Sequence, residues 1–337
     1  MTLPTRAIGP FTVSAVSFGC MNLSHAYGEK PAEADAARLL NHALDAGATM
    51  LDTAALYGGG GNERLLGRAV MHRRREFTLA SKCVLGMVDG KRVLDGSPAA
   101  IARSIDASLG RLGTDIIDLC YLHRLDPNVG IEESVGALVR AKEAGKIAAI
   151  GLSEMSAATL RRAHAVHPIA AMQTEYSPWV RNAEVAVLNA CRELGVGFVA
   201  FSPLARGLLA GGVTDNDFAP GDIRAGMPRF QNPNFAHNLA LAERFAAIAA
   251  DAGHTPAQLS LGWVLSRAPF VVPIPGTRSI AHLDDDLAAA TATIDLSILA
   301  TVDALFTPGA VAGRRYPPAA QAQVDTELLP EEQDEAA

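Results

Sequence analysis

Residues 116–153 read IIDLCYLHRLDPNVGIEESVGALVRAKEAGKIAAIGLS and contain the unit that repeats along the chain. Residues 116–122 are a nearly pure apolar run, which is typical of a strand covered on both faces. Residues 134–144 have helical periodicity and end before Gly145, a residue suited to a helix terminus. Residues 147–152 form a second apolar run. This order of strand, helix and strand predicts parallel strands in one sheet.

The same alternation extends over most of the 337 residues. Strands are predicted at residues 15–19, 50–52, 77–81, 116–122, 147–152, 171–175, 197–201 and 271–275. Helices are predicted at residues 32–46, 63–71, 98–109, 134–144, 157–164, 183–194 and 280–290. Eight strands alternating with helices in this length predict an α/β fold, a closed (β/α)8 TIM barrel, with residues 1–308 as a single domain.

An open, doubly wound sheet is the alternative arrangement of such units. That fold normally carries G-x-G-x-x-G in its first turn. The first predicted strand here ends instead in Gly19, Cys20 and Met21. The chain also lacks a P-loop pattern. Both observations favour the closed barrel.

Three regions lie outside the repeat. Residues 6–13, interrupted by Gly9 and Pro10, predict a small N-terminal β-hairpin. Residues 204–234 are rich in Gly, Pro and Asn, and a loop of this length is usually a functional lid or disordered. Residues 309–337 are rich in Pro, Gly, Ala and acidic residues, so we expect a mobile, partly disordered C-terminal tail.

Composition excludes several classes of protein. Hydrophobic residues make up 49% of the chain, which is enough for a sizeable core. The net charge of −7, with scattered basic residues, argues against nucleic-acid binding. No run of about 18 apolar residues predicts a membrane span. The four cysteines form no C-x-x-C pair and indicate a reducing, cytoplasmic location. The oligomeric state stays open.

Four polar residues occur at or just after the ends of consecutive predicted strands. Asp52 ends the second strand and Tyr57 follows it, Lys82 ends the third strand, and His123 ends the fourth. The carboxyl ends of barrel strands build the active site. Taken singly, each residue has an ordinary structural explanation, such as a turn carboxylate or a solvated amine. Their occurrence at successive strand ends favours an active site.

The four residue types fit one kind of chemistry. A tyrosine hydroxyl has a pKa of about 10, and a nearby ammonium is expected to lower it. Asp52 would hold the ammonium of Lys82 in place, and His123 could orient a carbonyl oxygen. Together they could protonate a C=O oxygen as hydride reaches the carbon. Because no side chain delivers hydride, this chemistry requires a nicotinamide or flavin.

Several stretches of the chain resemble the aldo-keto reductases, in particular a microbial and plant branch described as auxin-induced-like. The stretches are LDTAALYG (51–58), LASK (79–82), YLHRLDP (121–127), GLSE (151–154), QTEYS (173–177), FSPLARGLL (201–209) and IPGT (274–277), and the likeness covers residues 5–306. The resemblance implies a (β/α)8 barrel that binds NADP(H) without a Rossmann motif and reduces small aldehydes or ketones. It also implies that Tyr57 is the acid–base, with Asp52, Lys82 and His123 as its partners.

The resemblance further implies which residues bind the cofactor. Ser153 and Gln173 would bind the nicotinamide carboxamide, and Tyr176 would stack on the nicotinamide ring. The residues expected at the pyrophosphate and at the adenosine 2′-phosphate are Ser202, Leu204, Arg206, Gly276, Thr277 and Arg278.

Three positions, residues 284–286, depart from the family pattern at the adenine. The family has Glu-Glu-Asn where this chain has three aspartates, including Asp285 and Asp286. Asp286 lacks the amide donor and adds negative charge near a phosphate. NADP(H) is still expected to be preferred, because Arg278 suits the 2′-phosphate, and NAD(H) stays possible.

Two other functions are weighed against the reductase. Some relatives of this family are regulatory subunits that sense NADP(H) and turn over feebly. A barrel lyase or hydrolase could instead use Lys82 as a Schiff-base amine. The spacing of His164 and His167 could suggest a metal site, but no third ligand is near, so we expect no metal.

Overall fold

Eight parallel strands form the central sheet of the computed structural model, which describes residues 3–24, 26–88 and 91–333. The strands are, in chain order, β1 Thr5–Ile8, β2 Phe11–Ser14, β3 Phe18–Gly19, β4 Met50–Asp52, β5 Thr78–Cys83, β6 Leu85–Val88, β7 Lys91–Leu94, β8 Ile117–Leu122, β9 Ile147–Ser153, β10 Ala171–Glu175, β11 Gly197–Phe201 and β12 Val271–Pro273. The central sheet has the order β3-β4-β5-β8-β9-β10-β11-β12. This order confirms the predicted sequence of neighbouring strands.

Backbone hydrogen bonds join the two edges of this sheet. The N–H of Ser17 donates to the carbonyl of Pro273 at 3.0 Å, and the N–H of Gly19 donates to the carbonyl of Pro275 at 2.9 Å. β3 therefore lies beside β12, and the sheet curls into the predicted (β/α)8 barrel. A closed sheet has no exposed edge that could pair with another chain.

Helices flank the strands of the barrel. They are α1 Glu33–Asp45, α2 Gly61–Ala69, α3 Pro98–Leu112, α4 Ile131–Glu143, α5 Ala157–Val166, α6 Val187–Leu194, α7 Asn234–Asp251, α8 Pro256–Ser266, α9 Ile280–Ala288, α10 Leu296–Leu305, α11 Pro318–Gln321 and α12 Pro330–Gln333. α7, α8 and α10 lie where the sequence analysis predicts no helix. In the described parts of the chain, no helix combines the length and the hydropathy needed to cross a membrane.

The N-terminal hairpin, formed by β1 and β2, covers one end of the barrel. Ile8 and Val13 are fully buried and pack with inward-facing side chains such as Met50 and Leu119. The close approach needs a residue without a side chain at the start of β11, since a Cβ on Gly197 would lie 2.6 Å from Cδ1 of Ile8. The amino ends of the strands are therefore covered, and the carboxyl ends carry the open cleft.

Two segments are more ordered than their composition predicts. Residues 204–234 contain three short 3-10 helices, and Leu208 and Phe230 from this segment are buried in the core. A second hairpin, β6 with β7, follows β5 directly and lies where no strands are predicted. It brings a further pair of strands to the active-site end, because β5 ends there.

The C-terminal segment packs against the barrel along its described part, which differs from the mobile tail that we expect from its composition. Arg315 and Tyr316 are buried, and the N–H of Asp325 donates to the carbonyl of Glu154 at 3.0 Å. The physical reason is that an arginine and a tyrosine in the segment reach buried carboxylates of the barrel. Residues 334–337 lie outside the described residues. The division at residue 308 stays a prediction.

Candidate active site

A cleft of about 840 Å³ opens at the carboxyl ends of the barrel strands. Ligand sites of this size are usual in barrel enzymes. Asp52, Tyr57 and His123 line the cleft, whereas Lys82 lies fully buried behind Asp52 and Tyr57. The structure therefore brings the four predicted catalytic residues together.

Lys82 connects Asp52 and Tyr57. Its Nζ forms an ion pair and a hydrogen bond with Oδ1 of Asp52. The same ammonium donates to the carbonyl of Thr53 at 2.8 Å and to Oη of Tyr57 at 3.2 Å. An ammonium has three donors, so all three have partners within the protein. This geometry fixes the lysine charge directly beside the tyrosine hydroxyl.

His123, which directly follows β8, packs against the edge of the tyrosine ring. The two ring centroids are 5.9 Å apart, and the ring planes are nearly perpendicular at 81°. The backbone N–H of His123 donates to the carbonyl of Cys83 at 3.1 Å, which continues the pairing of β5 with β8. An imidazole held at this place can contact a group that approaches Tyr57 through the cleft.

Burial and charge act in opposite directions on the pKa values of this pair. Burial alone would lower the pKa of Lys82, but the carboxylate of Asp52 and the tyrosine oxygen outweigh it, and the pKa is raised. Burial raises the pKa of Tyr57, and the ammonium of Lys82 opposes this rise without cancelling it. The ammonium therefore acts on the tyrosine pKa in the expected direction, but burial outweighs it and the pKa is raised overall. Tyr57 is protonated at neutral pH.

Two residues predicted to bind the nicotinamide carboxamide line the cleft beside the catalytic set. Gln173 on β10 donates from Nε2 to Oδ2 of Asp52 at 2.8 Å. Ser153, at the end of β9, accepts a hydrogen bond from Nη1 of Arg124 at 3.3 Å. Asp52 is thus held on one oxygen by Lys82 and on the other by Gln173.

Tyr176 does not line the cleft with the other predicted cofactor residues. Its ring is fully buried against Phe198 and Trp263, with centroid distances of 5.7 and 5.3 Å, and its hydroxyl donates to Glu184 at 2.7 Å. Phe201, the last residue of β11, is among the aromatic side chains that do line the cleft. The sequence analysis missed it, although its position at the end of a predicted strand was a usable signal.

Arg206 lines the cleft together with Ser202 and Leu204, but its guanidinium is engaged with the protein. Nη2 of Arg206 donates to Glu175 at 2.9 Å and to the Tyr316 hydroxyl at 3.2 Å. The resemblance implied a contact with the cofactor pyrophosphate for this residue. The geometry instead links the loop after β11 to the C-terminal segment.

Arg206 belongs to a buried group of charges that we call the tail cluster, consisting of Glu154, Glu175, Arg206, Arg315 and Tyr316. Nη2 of Arg315 donates to Glu154 at 2.7 Å and to Glu175 at 3.2 Å. Oη of Tyr316 donates to Glu175 at 2.9 Å. Burial alone would raise the pKa of Glu175, but Arg206, Arg315 and the nearby Arg229 lower it to about 2. No residue of this cluster except Arg206 was predicted to be functional.

The far end of the cleft contains the residues predicted for the adenosine phosphate. Gly276, Thr277 and Arg278 line it directly before α9, and Nη1 of Arg278 donates to the carbonyl of Glu29 at 2.5 Å. Ser279 caps the start of α9 by accepting from the N–H of His282. A helix start with its free N–H groups favours an anion at this end.

The two predicted adenine residues also line this end, and they differ from each other. Asp285 accepts hydrogen bonds from Thr255 at 2.8 Å and from Gln258 at 2.7 Å, both at the start of α8. Asp286 is buried, and burial together with the charge of Asp285 raises its pKa to about 8. The carboxyl of Asp286 is therefore mostly neutral at pH 7.

Comparison with known proteins places the whole chain in one family. Residues 15–306 match the model of the aldo/keto reductase family. The chain is 41% identical to a Schizosaccharomyces pombe protein named aldo-keto reductase yakc [NADP(+)], over 98% of this chain and 100% of that protein.

Solved structures agree with this match. The glycerol dehydrogenase of Gluconobacter oxydans has a TM-score of 0.81 and 27% identity, and the alignment covers 97% of this chain and 98% of that one. An aldo-keto reductase of Klebsiella pneumoniae, solved in complex with NADPH, has a TM-score of 0.72 and 27% identity, with coverage of 94% and 99%. The barrel, its strand-end residues and these matches lead to one conclusion: the chain belongs to the aldo/keto reductase family.

Proposed function

We propose that this protein reduces aldehydes or ketones to alcohols with NADPH, and that Tyr57 supplies the proton. The observation that carries the proposal is the position of Lys82, which contacts Asp52 and the Tyr57 hydroxyl at the base of a deep cleft. That arrangement suits a group that must give up a proton and then recover it.

The role of each residue follows from the contacts. Tyr57 is protonated at neutral pH and can donate its proton to a carbonyl oxygen. The ammonium of Lys82, 3.2 Å away, lowers the cost of the phenolate that remains. Asp52 keeps Lys82 charged and in place, and Gln173 fixes Asp52. His123, beside the Tyr57 ring, would orient the carbonyl oxygen toward the phenol.

The residues along the cleft fit a nicotinamide dinucleotide phosphate. NADPH, when bound, supplies the hydride for the carbonyl carbon. Ser153, Gln173 and the Phe201 ring would hold its nicotinamide end, since they lie beside the catalytic set. Thr277 and Arg278, at the start of α9, would hold the adenosine phosphate. The cofactor named for the yeast relative and the NADPH in the Klebsiella structure support this assignment.

The protonation state of Asp286 is compatible with the phosphate of NADPH. A charged carboxylate there would oppose a nearby phosphate, but the pKa of Asp286 is raised to about 8. In its neutral form the carboxyl adds no charge and can donate a hydrogen bond, as an amide would. NADH stays a possible second cofactor.

The four cysteines support the proposed compartment. Cys20, Cys83, Cys120 and Cys191 are all buried and free of disulfides. Buried thiols of this kind are usual in reducing compartments. We therefore propose a cytoplasmic location, with a small carbonyl compound as the partner of the enzyme.

The first experiment follows the near-ultraviolet absorbance of NADPH, with NADH in parallel, during reduction of 4-nitrobenzaldehyde. Tyr57→Phe should lower kcat by about 100-fold to 10,000-fold, since this is the usual contribution of a general acid. Its affinity for NADPH, measured by cofactor fluorescence, should survive. Tyr27→Phe is the matched control, because Tyr27 also lines the cleft but contacts neither Lys82 nor Asp52 in the described contacts.

Two outcomes would count against the proposal. Near-normal kcat in Tyr57→Phe would remove Tyr57 as the proton donor. Tight NADPH binding by the wild-type protein without turnover of any aldehyde would favour the regulatory subunit that senses the cofactor.

A further inference from the structure

We propose that the natural substrate carries a carboxylate, which Arg92 and Arg124 bind while the carbonyl group lies at Tyr57. This inference rests on the proposed reductase function and assigns a substrate class to the same cleft. It depends on where the two arginines lie, on which partners they have, and on the groups between them and the catalytic residues.

Both arginines line the cleft from segments adjacent to catalytic residues. Arg124 directly follows His123, and its Nη1 donates to the carbonyl of His123 at 2.6 Å and to Ser153 at 3.3 Å. Arg92 is on β7, in the hairpin that follows the strand of Lys82, and it is exposed to the cleft. The guanidinium of Arg124 is thus fixed, and that of Arg92 is accessible to a ligand.

The two guanidinium charges are not neutralised within the described chain. Neither arginine forms an ion pair with a carboxylate of residues 3–24, 26–88 or 91–333. Among the residues that the structure describes, Asp52 is the only acidic side chain that lines this end of the cleft, and Lys82 and Gln173 already engage it. Asp285 and Asp286 lie at the other end, beside α9. The cleft is therefore positive beside the catalytic residues, although the whole chain is acidic.

The arginines also repel each other. Arg92 is only partly buried; this partial burial lowers its pKa, and the positive charge of Arg124 lowers it further. Two like charges in one cleft are costly unless an anion lies between them. Two other arginines of the cleft do have carboxylate partners. Arg206 pairs with Glu175 at 2.9 Å, and Arg224 pairs with Asp222 at 2.7 Å. An anionic ligand would give Arg92 and Arg124 the partner that the described protein does not.

A carboxylate is the anion that this pair fits. Guanidinium groups bind carboxylates through paired, charge-assisted hydrogen bonds. Leu56 and Leu85 line the same cleft and provide apolar surface for the part of the substrate that joins the two functional groups. The substrate class is therefore an aldehyde or ketone with an apolar spacer and a carboxylate.

The test compares 4-carboxybenzaldehyde with its uncharged methyl ester as substrates with NADPH. Wild-type protein should have the higher kcat/KM for the acid. In Arg92→Gln the ratio of the two kcat/KM values should fall by about tenfold, as expected for loss of a charge-assisted hydrogen bond. Arg92→Lys should recover part of the ratio, because it restores the charge. Arg38→Gln, which removes an exposed arginine of α1 outside the cleft, should leave the ratio unchanged.

A binding measurement separates recognition from turnover. In Tyr57→Phe loaded with NADPH, 4-carboxybenzaldehyde should change the cofactor fluorescence at a lower concentration than its ester does. Adding Arg92→Gln should abolish that difference. Because this readout needs no reaction, it also reports on a protein whose catalytic step is impaired.

The outcomes distinguish this inference from the reductase function itself. If the ester is reduced and the acid has no advantage, the carboxylate site is wrong and the reductase stands. The carboxylate site is also wrong, and the reductase function stands, if wild type and Arg92→Gln have the same ratio of kcat/KM for the acid over the ester. If neither aldehyde is reduced and neither changes the fluorescence, both proposals fail.

Discussion

Two buried groups of charge lie at the same end of this barrel and are built differently. The first, which we call the catalytic cluster, consists of Asp52, Tyr57, Lys82 and Gln173. Its ion pair joins neighbouring strands, 30 residues apart in sequence. The tail cluster also begins at strand ends, with Glu154 and Glu175. Its Arg315, however, is 161 residues from Glu154 and comes from the C-terminal segment.

This difference explains why the catalytic cluster could be predicted from the sequence and the tail cluster could not. Both members of the Asp52–Lys82 pair follow predicted strands, so the fold alone brings them together. Glu154 comes just after one predicted strand and Glu175 ends the next, but their partner is in a segment whose composition suggests mobility. A buried carboxylate needs a partner. Two glutamates at or just after the ends of buried strands therefore indicated that a cation must come from another part of the chain.

The largest effect is expected from breaking the catalytic cluster with Lys82→Met. Asp52 would be left buried without its cation, which typically costs about 3–5 kcal/mol of unfolding free energy. Tyr57 would lose the charge that favours its phenolate, so kcat should fall by at least about 100-fold. Chemical denaturation and NADPH oxidation measure the two effects. Normal kcat in a folded Lys82→Met protein would contradict the role of the ammonium.

Breaking the tail cluster with Arg315→Met should affect stability rather than the proton transfer. Glu154 would lose its ion-pair partner, at a cost of about 3–5 kcal/mol. The C-terminal segment would lose its buried anchor, and limited proteolysis should cleave it sooner than in the wild-type protein.

An exposed pair provides the control for Arg315→Met. Asp35→Asn, which removes the surface partner of Arg38, should cost less than about 0.5 kcal/mol. Equal losses in the two variants would mean that the tail cluster contributes no more than a surface ion pair does.

A smaller and graded effect is expected from acid, because the pKa of Glu175 is lowered to about 2. An unfolded glutamate has a pKa of about 4.3, so the unfolded state binds more protons between these values. The stabilisation from Glu175, about 3 kcal/mol, should be present above that range and be lost as the pH falls toward 2. The difference in unfolding free energy between wild type and Glu175→Gln, measured by urea unfolding, should be smaller at pH 3 than at pH 6. An equal difference in unfolding free energy at the two pH values would contradict the lowered pKa of Glu175.

The sequence predicted most of the barrel, because buried parallel strands and amphipathic helices have distinct patterns. It missed α7, α8 and α10, because it assigned no elements between the loop at residues 204–234 and the strand at residues 271–275, or after residue 290. It also predicted that Tyr176 stacks on the nicotinamide, whereas the structure places Tyr176 away from the cleft and Phe201 in its lining. Which side of a strand end faces the cleft depends on how the strands tilt in the closed barrel, and a residue pattern does not contain that tilt.

The pairing of Glu154 with Arg315 has a consequence for the order of events during synthesis. Chains fold from the N-terminus as they are made, and Glu154 leaves the ribosome 161 residues before its cation. Until then, burying this carboxylate in a finished barrel is unfavourable. The C-terminal segment thus supplies the partner of Glu154 only after all strands of the barrel have been synthesised.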